Sequence, residues 1–425
     1  MTIDRRTILK TAGAAAAAGA ATAITGFPAI AQGTKKITFL TWNIIDQKEL
    51  IDGWIKRFQS TRPGVEVEWL DKKGPEFGPF YQTQLTAGTP PDVINTQGAL
   101  GLEYAAQGAL MDLSPMFAKE TATKARYDPN YLSNWVYEGR NYMVPFYITK
   151  TLLFYNKPMF QKAGLSGPPQ NFEQILDYAQ KMTTGGGETS SGFMTLNFDW
   201  LFWPLFAMNG VQLVTPDLKK TAFNTPKAAD VLDRLSKATS SGAINKISWT
   251  GRWVEPNGAF GAGNIGMLHA HSPAYFFFKG QGSWVTPETL GVAHMPGDFA
   301  TPNSHGLGIS KGSKHPDVAW DFLKFITDQG QAGELATRRK LVTGNVAVDR
   351  ASLAQLQKDD PIVYTVLKTQ LEHTDKMTGN WRFGNDSRIK EAFWPEVQSA
   401  LLGRKDAKTA LAEADRKMQR ELTRT

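Results

Sequence analysis

The chain has 425 residues, 41% of them hydrophobic and 20% charged, with a net charge of +7 and no cysteine. This composition belongs to a globular protein rather than a disordered one, and the length suits two domains better than one hydrophobic core. The missing cysteines exclude disulfides, iron–sulfur clusters, thiolate zinc sites, a cysteine nucleophile and a lipid anchor on cysteine.

The first residues read as an address. Asp4-Arg5-Arg6-Thr7-Ile8-Leu9-Lys10 is positively charged, Thr11 to Phe27 is a weakly apolar run rich in Ala and Gly, and Ala29-Ile30-Ala31 is a small-x-small site. These three parts in this order form an export signal. Adjacent arginines before so weakly apolar a run point to the twin-arginine route. Losing residues 1–31 removes Arg5, Arg6, Lys10 and Asp4, a net +2, and leaves +5. No later run reaches the roughly 18 apolar residues that a spanning helix needs. The expected location is the periplasm. The remaining positive charge is scattered over Lys35-Lys36, Lys72-Lys73, Lys219-Lys220, Arg338-Arg339-Lys340 and the C-terminal helix. A nucleic-acid binder gathers such charge in one stripe, so no nucleic-acid partner is expected.

Beyond the signal, Ile37–Trp42 is rich in strand formers. Asp46 and Glu49 suggest a capping box for a helix with Leu50, Ile51, Trp54, Ile55 and Phe58 at helical spacing. Pro63-Gly64 turns into a second strand, Val65–Trp69, with alternating character. A helix around Phe80–Ala87 ends at Gly88, a residue suited to a left-handed cap. Asp92–Asn95 reads as a short buried strand, and a helix near Leu100–Gln107 ends at Gly108. Strands and helices alternating at this pace predict a parallel sheet with crossover helices, the α/β class. Tyr142–Tyr147 and Thr151–Asn156 are apolar and strand-like, Asn171–Ser240 is expected to be mostly helical, and Pro226 opens a helix over Thr225–Thr239. Residues 257–310 are Gly-rich with short strands. Helices follow at Pro316–Gln329, Ser387–Leu402 and Ala407–Leu422.

Several segments in this order resemble the family 1 extracellular solute-binding proteins, the periplasmic receptors of ABC importers. They include Phe58-x-x-x-x-Pro63-Gly64-Val65-x-Val67, Thr86-Ala87-Gly88-x-x-Pro91-Asp92-Val93, Gly108-Ala109-Leu110-x-Asp112-Leu113-Ser114 and Leu153-x-Tyr155-Asn156-Lys157. Phe223-Asn224-x-Pro226, Gly291-Val292-x-x-Met295-Pro296 and Ser313-Lys314-His315-Pro316 continue the series, so the resemblance runs from about 37 to 425. It implies two α/β lobes of the periplasmic binding protein fold, joined by a multi-crossing hinge with the ligand cleft between them. By analogy, crossings fall near Tyr147–Lys150, Gly306–Ile309 and Asn345–Val348. Lobe one then holds 34–147 and 308–346, and lobe two holds 148–307 and 347–425. The implied function is capture of a carbohydrate by hinge closure and delivery to the permease subunits of an ABC transporter, by a monomer without a cofactor.

In open α/β sheets ligands bind beyond the carboxyl ends of the strands, which selects Trp42 and Asn43 after the first strand and Thr96 and Gln97 after the third. Their amides donate and accept, as hydroxyl-rich ligands require. Tyr147 joins them at the first implied crossing. Asp199-Trp200-Leu201-Phe202-Trp203-Pro204 resembles a segment that supplies a sugar-stacking aromatic in the family, which nominates Trp200 and Trp203; Pro204-Leu205-Phe206 follows Trp203 and makes it the more core-like of the two. His269-Ala270-His271-Ser272-Pro273-Ala274-Tyr275 lies where family members often carry a ligand aromatic, so His271 and Tyr275 are candidates; no third metal ligand accompanies the two histidines. Asn380-Trp381-Arg382-Phe383-Gly384-Asn385 resembles a stretch of the glycerol-3-phosphate-binding members in which an arginine meets phosphate. Arg382 therefore keeps an acidic polyol or sugar open as the alternative ligand. An exported glycoside-active enzyme is the remaining reading, but no dinucleotide fingerprint, Gly-x-Ser-x-Gly or phosphate loop occurs. Cleavage after Ala31 should give a mature N-terminus at Gln32, and substituting Lys for Arg5 and Arg6 should abolish export. Mass spectrometry of the periplasmic fraction checks both, and an uncleaved chain would contradict them.

Overall fold

The computed structural model describes residues 34–377 and 383–424. The export segment and Arg382 lie outside these described residues. Two β-sheets organise the chain, and helices cover both faces of each.

The first sheet begins as the alternation predicts. Strand β1 (Lys35–Trp42) pairs in parallel with β2 (Val65–Lys72) and β3 (Val93–Gln97), with Phe39 opposite Trp69 and Val93. Successive side chains of a strand point to opposite faces. Ile37 and Phe39 accordingly enter one core with Ile51, Trp54 and Phe58 of helix α1 (Lys48–Ser60), while Leu40 enters another. Helices α1 and α2 (Gly74–Thr86) make the crossovers between these strands, and α3 (Gly98–Ala106) follows β3. Gly88, at φ +70°, lies in the left-handed region just past α2, as expected of a cap.

Strand β4 (Met143–Tyr147) leaves this sheet and β5 (Thr151–Asn156) enters the second. Helix α4 (Phe172–Lys181), strand β6 (Ser191–Thr195), helix α5 (Asp199–Ala207), helix α6 (Pro226–Ser240), strand β7 (Ile265–His271) and strand β8 (Leu290–Ala293) follow. The chain then returns through β9 (His305–Ile309) to the first sheet, whose order is β2-β1-β3-β9-β4; the second runs β8-β5-β7-β6. Helices α7 (Pro316–Ile326), α8 (Gln329–Arg339), α9 (Val346–Asp359), α10 (Pro361–Leu371), α11 (Asp386–Leu401) and α12 (Ala407–Leu422) complete the fold.

The structure corrects four expectations. The capping box at Asp46 and Glu49 does not form: Ile45–Gln47 is a short 3₁₀ turn, and Asp46 instead accepts a 2.6 Å bond from the Gln47 side chain. The region 171–240 is interrupted by β6, because Ser191–Thr195 is buried along its whole length and pairs in parallel with β7. The first sheet is mixed, since β9 runs antiparallel to both β3 and β4. Finally, a lobe boundary between 307 and 308 would cut β9, which pairs within the first sheet from His305 to Ile309. The N-cap of α6 is as expected: Thr225 accepts from the Ala228 amide, and Pro226 opens the helix.

Between the sheets the chain forms a narrow ribbon. Ile148 bridges Val342, Lys150 bridges Pro302, and the Asn303 amide donates to the Thr149 carbonyl. Ile148, Leu152 and Val342 belong to one buried cluster with Leu40 and Ile94 of the first sheet and Leu268 of the second, so the apolar interior runs through the ribbon.

Close approach of backbone is needed at Gly192 of β6, where a Cβ would overlap the Ala179 backbone of α4. Gly192→Ala should therefore destabilise the fold by about 1–3 kcal/mol, as overpacking does. Urea denaturation measures this, and an unchanged midpoint would show that α4 moves aside freely.

Candidate ligand-binding cleft

Two chambers adjoin the ribbon. The first is the narrower and opens to solvent. Gln97, Gly98 and Ala99, where β3 passes into α3, form one wall; Trp200 and Trp203 of α5 form another; Thr301 to Ser304 of the ribbon lie between them. The opposite side is closed by Phe383 and by Asp386, Lys390 and Phe393 of α11. The second and wider chamber is lined by Asp46, Gln47, Tyr147, Tyr275, Phe276, Phe277 and Arg338 to Lys340, among others.

Each aromatic side chain is set by its element. Trp200 and Trp203 lie one turn apart on a helix that is buried almost all round, so both rings are more than nine-tenths buried. Trp203 stacks on Phe393 at 4.4 Å and joins the core of the second lobe, whereas Trp200 faces a looser aromatic group of Phe198, Trp253 and His271 at 5.4, 6.3 and 6.2 Å. Trp42, the last residue of β1, lies edge-on to His305, and His305 stacks on Tyr147 at 4.5 Å. Strand ends from the first sheet thus present a continuous aromatic surface.

The polar groups are held equally firmly. The Gln97 side chain donates to Asn303 Oδ1 at 2.7 Å. The hydroxyls of Thr301 and Ser304, both in the first chamber, are buried and find no acceptor or donor within the protein. Burial raises the Asp199 carboxyl above its usual range, while the nearby Lys390 ammonium opposes the rise. Burial also acts to lower Lys390, but the carboxylates of Asp199 and Asp386 outweigh it and hold the ammonium above its ordinary value. Lys390 meets Asp386 at 2.6 Å one turn away on α11. Across the cleft, Ser387 donates its backbone and side chain to Glu103 of α3 at 2.5 and 3.0 Å, tying α11 to the first sheet.

The structure gathers only some of the sequence candidates. Gln97, Trp200 and Trp203 share the first chamber; Tyr147 and Tyr275 share the second. Trp42 reaches Tyr147 through His305, and His271 lies against Trp200. Tyr275 is buried among Phe276 and Phe278, and burial pushes its phenol up to about 12. Two candidates have other work. Asn43 is exposed at φ +53°, donates its amide to the Lys72 carbonyl and ends the strand as a left-handed turn residue. Thr96 is fully buried within the first sheet beside the Gly101 backbone, in neither chamber. Sequence reasoning missed Trp253, Asn303, His305, Arg339 and Lys390, which carry no local pattern; only topology brings them here. Among the described residues, no cluster of three or more His, Asp or Glu side chains could hold a metal ion.

An aromatic and polar cleft between two α/β lobes defines the binding-protein architecture. The bacterial extracellular solute-binding protein family matches residues 41–333, and the chain belongs to it. It is 24% identical over 383 residues to a probable ABC transporter-binding protein of Deinococcus radiodurans, covering 83% of this chain and 85% of that one. Identity is also 24% over 408 residues to the sn-glycerol-3-phosphate-binding periplasmic protein UgpB of Rhizobium meliloti, covering 86% and 89% of the two chains. The ABC substrate-binding protein of Listeria monocytogenes in complex with cycloalternan superposes with a TM-score of 0.75 at 20% identity, over 91% of this chain and 99% of that one. Among the described residues no helix is long and apolar enough to cross a membrane.

Burial also sets a pH response. It lowers His269 and His271 from an ordinary value of 6.5 to about 3. Between those values the unfolded chain binds protons that the folded chain refuses. Stability therefore falls as pH drops below 6.5, by about 1.4 kcal/mol per pH unit for each histidine. Urea midpoints at pH 7.5 and 5.5 should differ accordingly, and His271→Gln should flatten the dependence. Identical midpoints would contradict the burial argument.

Proposed function

We propose that this chain is the receptor of an ABC importer, that it captures a carbohydrate between its lobes, and that it hands the sugar to the permease subunits in the membrane. The observation that carries the reading is the first chamber, which Trp200 and Trp203 line together with Gln97, Asn303, Ser304 and Asp199. Aromatic faces suit the apolar C–H face of a pyranose, and amides, hydroxyls and carboxylates suit its hydroxyls. On this reading Gln97, Trp200 and Trp203 are primary contacts, Trp42, Tyr147, His271 and Tyr275 shape the walls, and Asn43 and Thr96 are structural. The chain acts by binding and not by catalysis, as a periplasmic monomer delivered through its export signal.

The ribbon at 148–150, 301–303 and 342 is the proposed hinge. The lobes are then 34–147 with 305–346 and 148–304 with 347–425, the break moved from 307 to precede β9. Ligand selects the closed form because it touches both lobes at once only there. The UgpB relative, named for sn-glycerol-3-phosphate, keeps an acidic polyol beside neutral sugars as the alternative, with Arg382 as its contact.

A thermal-shift screen over mono-, di- and oligosaccharides and polyol phosphates tests the reading. Binding to the native state alone stabilises it by about 2.7 kcal/mol at a hundredfold excess over Kd. Trp200→Ala should cost about 2 kcal/mol or more in sugar affinity by calorimetry, as anchoring aromatics do. Small-angle scattering should show compaction with the sugar bound. Full affinity in Trp200→Ala would remove the stacking contact, and turnover of a glycoside would replace the receptor with an enzyme.

A further inference from the structure

The second chamber differs in chemistry from the first. Three consecutive cations, Arg338, Arg339 and Lys340, reach it from the end of α8, and Asp46 is its one acidic lining residue. The three are not equally satisfied. Arg338 meets Glu49 at 3.1 Å, an exposed pair of the kind that contributes little. Lys340 meets Asp360 at 2.7 Å, and that carboxylate is largely buried. Arg339 Nη1 lies 3.5 Å from Asp46 Oδ1, yet this nitrogen is buried and donates no hydrogen bond. The Gln47 side chain donates to the other oxygen of that carboxylate, Asp46 Oδ2, at 2.6 Å.

The Arg339–Asp46 pair is thus a charge contact without a hydrogen bond on the buried nitrogen, and an oxyanion from a ligand would supply the missing acceptor. A second atom in the same wall asks for the complementary group. Gln47 is more than nine-tenths buried and its Oε1 accepts from nothing in the protein, so a ligand hydroxyl would satisfy it. Phe276 and Phe277 stand half-exposed on the opposite wall and offer an apolar face. The charge on Arg339 is felt by both Tyr147 and His305, which places the guanidinium beside the aromatic surface at the strand ends. The two chambers are also adjacent, since Thr149 lines one and its backbone partner Asn303 lines the other.

The geometry points to an acidic sugar as the cargo, with its oxyanion received by Arg339, a hydroxyl by Gln47 and its apolar face by Phe276 and Phe277, all in the second chamber. The assignment rests on the cleft being the carbohydrate site, and it adds the charge of the ligand and the residue that reads it. A guanidinium can take a carboxylate or a phosphate through two parallel N–H bonds, so the shared chemistry is an oxyanion on a hydroxyl-rich frame.

Calorimetry at low salt on matched pairs tests this: galactose against galacturonate, glucose against glucuronate and against glucose 6-phosphate, with inorganic phosphate alone as a control. The acidic member should bind the unmodified chain about tenfold or more tightly than its neutral partner, with a preference that shrinks as salt rises. Arg339→Met should erase that preference and leave the neutral sugar's affinity as it was. Arg339→Lys should restore only part of it, because one point charge cannot reproduce the fork. If Arg339→Met does not fold, a full preference in Arg339→Lys overturns the assignment and a reduced one supports it. Equal or better binding of the neutral member, or an acid preference that survives in Arg339→Met, overturns the role of Arg339 while leaving the carbohydrate reading standing. Binding of inorganic phosphate but of no sugar overturns both.

Discussion

The ribbon that joins the two sheets is the constraint on which the rest depends. Each sheet could fold its own helices around itself, but the cleft exists only because three short extended segments lie side by side between them. Ile148 pairs with Val342, and Thr149 and Lys150 meet Asn303 and Pro302. These segments are short enough to set how far apart the lobes stand and paired enough to resist twisting. Their apolar side chains continue the interior from one sheet to the other. A deeply buried lysine sits in the same ribbon. Lys150 donates to the Glu372 carbonyl at the end of α10, and burial brings its ammonium down to about 8 despite the carboxylates of Asp298 and Glu372 nearby. Charge buried at such a point is expensive, so the ribbon is held by specific partners as well as by apolar packing.

Polar groups follow the same logic in the cleft. Most buried donors and acceptors in a folded protein are paired, and those left over ask for an explanation. Such atoms occur at several places among the described residues, and those of Thr301, Ser304, Gln47 and Arg339 line one chamber or the other. Their neighbours fix them in place: Gln97 is locked onto Asn303, Asp199 sits in the field of Lys390, and Trp203 is stacked on Phe393. The walls are therefore ordered before any ligand arrives, which lowers the ordering cost that binding must offset.

Much of the fold was legible because it is written in local patterns. Ile37, Phe39 and Leu40 declare the two faces of β1, and Thr225 with Pro226 declares the start of α6. What was not legible depends on distant partners. Ser191–Thr195 is too short to show a period, and becomes a strand only because β7 lies alongside it. Asp46 and Glu49 carry a helix-start pattern, yet tertiary contacts with Gln47 and Arg339 take the aspartate away from that role. The cleft shows the same division. Gln97 and Trp42 follow from the rule that strand ends carry ligand contacts, whereas Asn43, one residue further, is consumed by the turn that ends the strand. The Pro204-Leu205-Phe206 run marks Trp203 as the more core-like ring, but both rings are buried, and it takes the neighbours to show one stacked in the core and the other at its edge.

The residues of the ribbon and those of the cleft are in part the same residues. Thr149 lines the second chamber, Thr301, Pro302 and Asn303 line the first, and Tyr147 enters the ribbon directly from β4. A ligand resting on this floor touches the segments about which the lobes would turn, and its outer atoms meet walls that belong to different lobes. Only a state with both walls in place makes every contact, so binding free energy is gained differentially and the closed form is favoured by that difference. The bonds from Ser387 to Glu103 tie α11 to α3 across the cleft, at a carboxyl that burial holds above its usual range. A movement that parted these two helices would break them and expose Glu103, so the link that ties the walls also resists their separation.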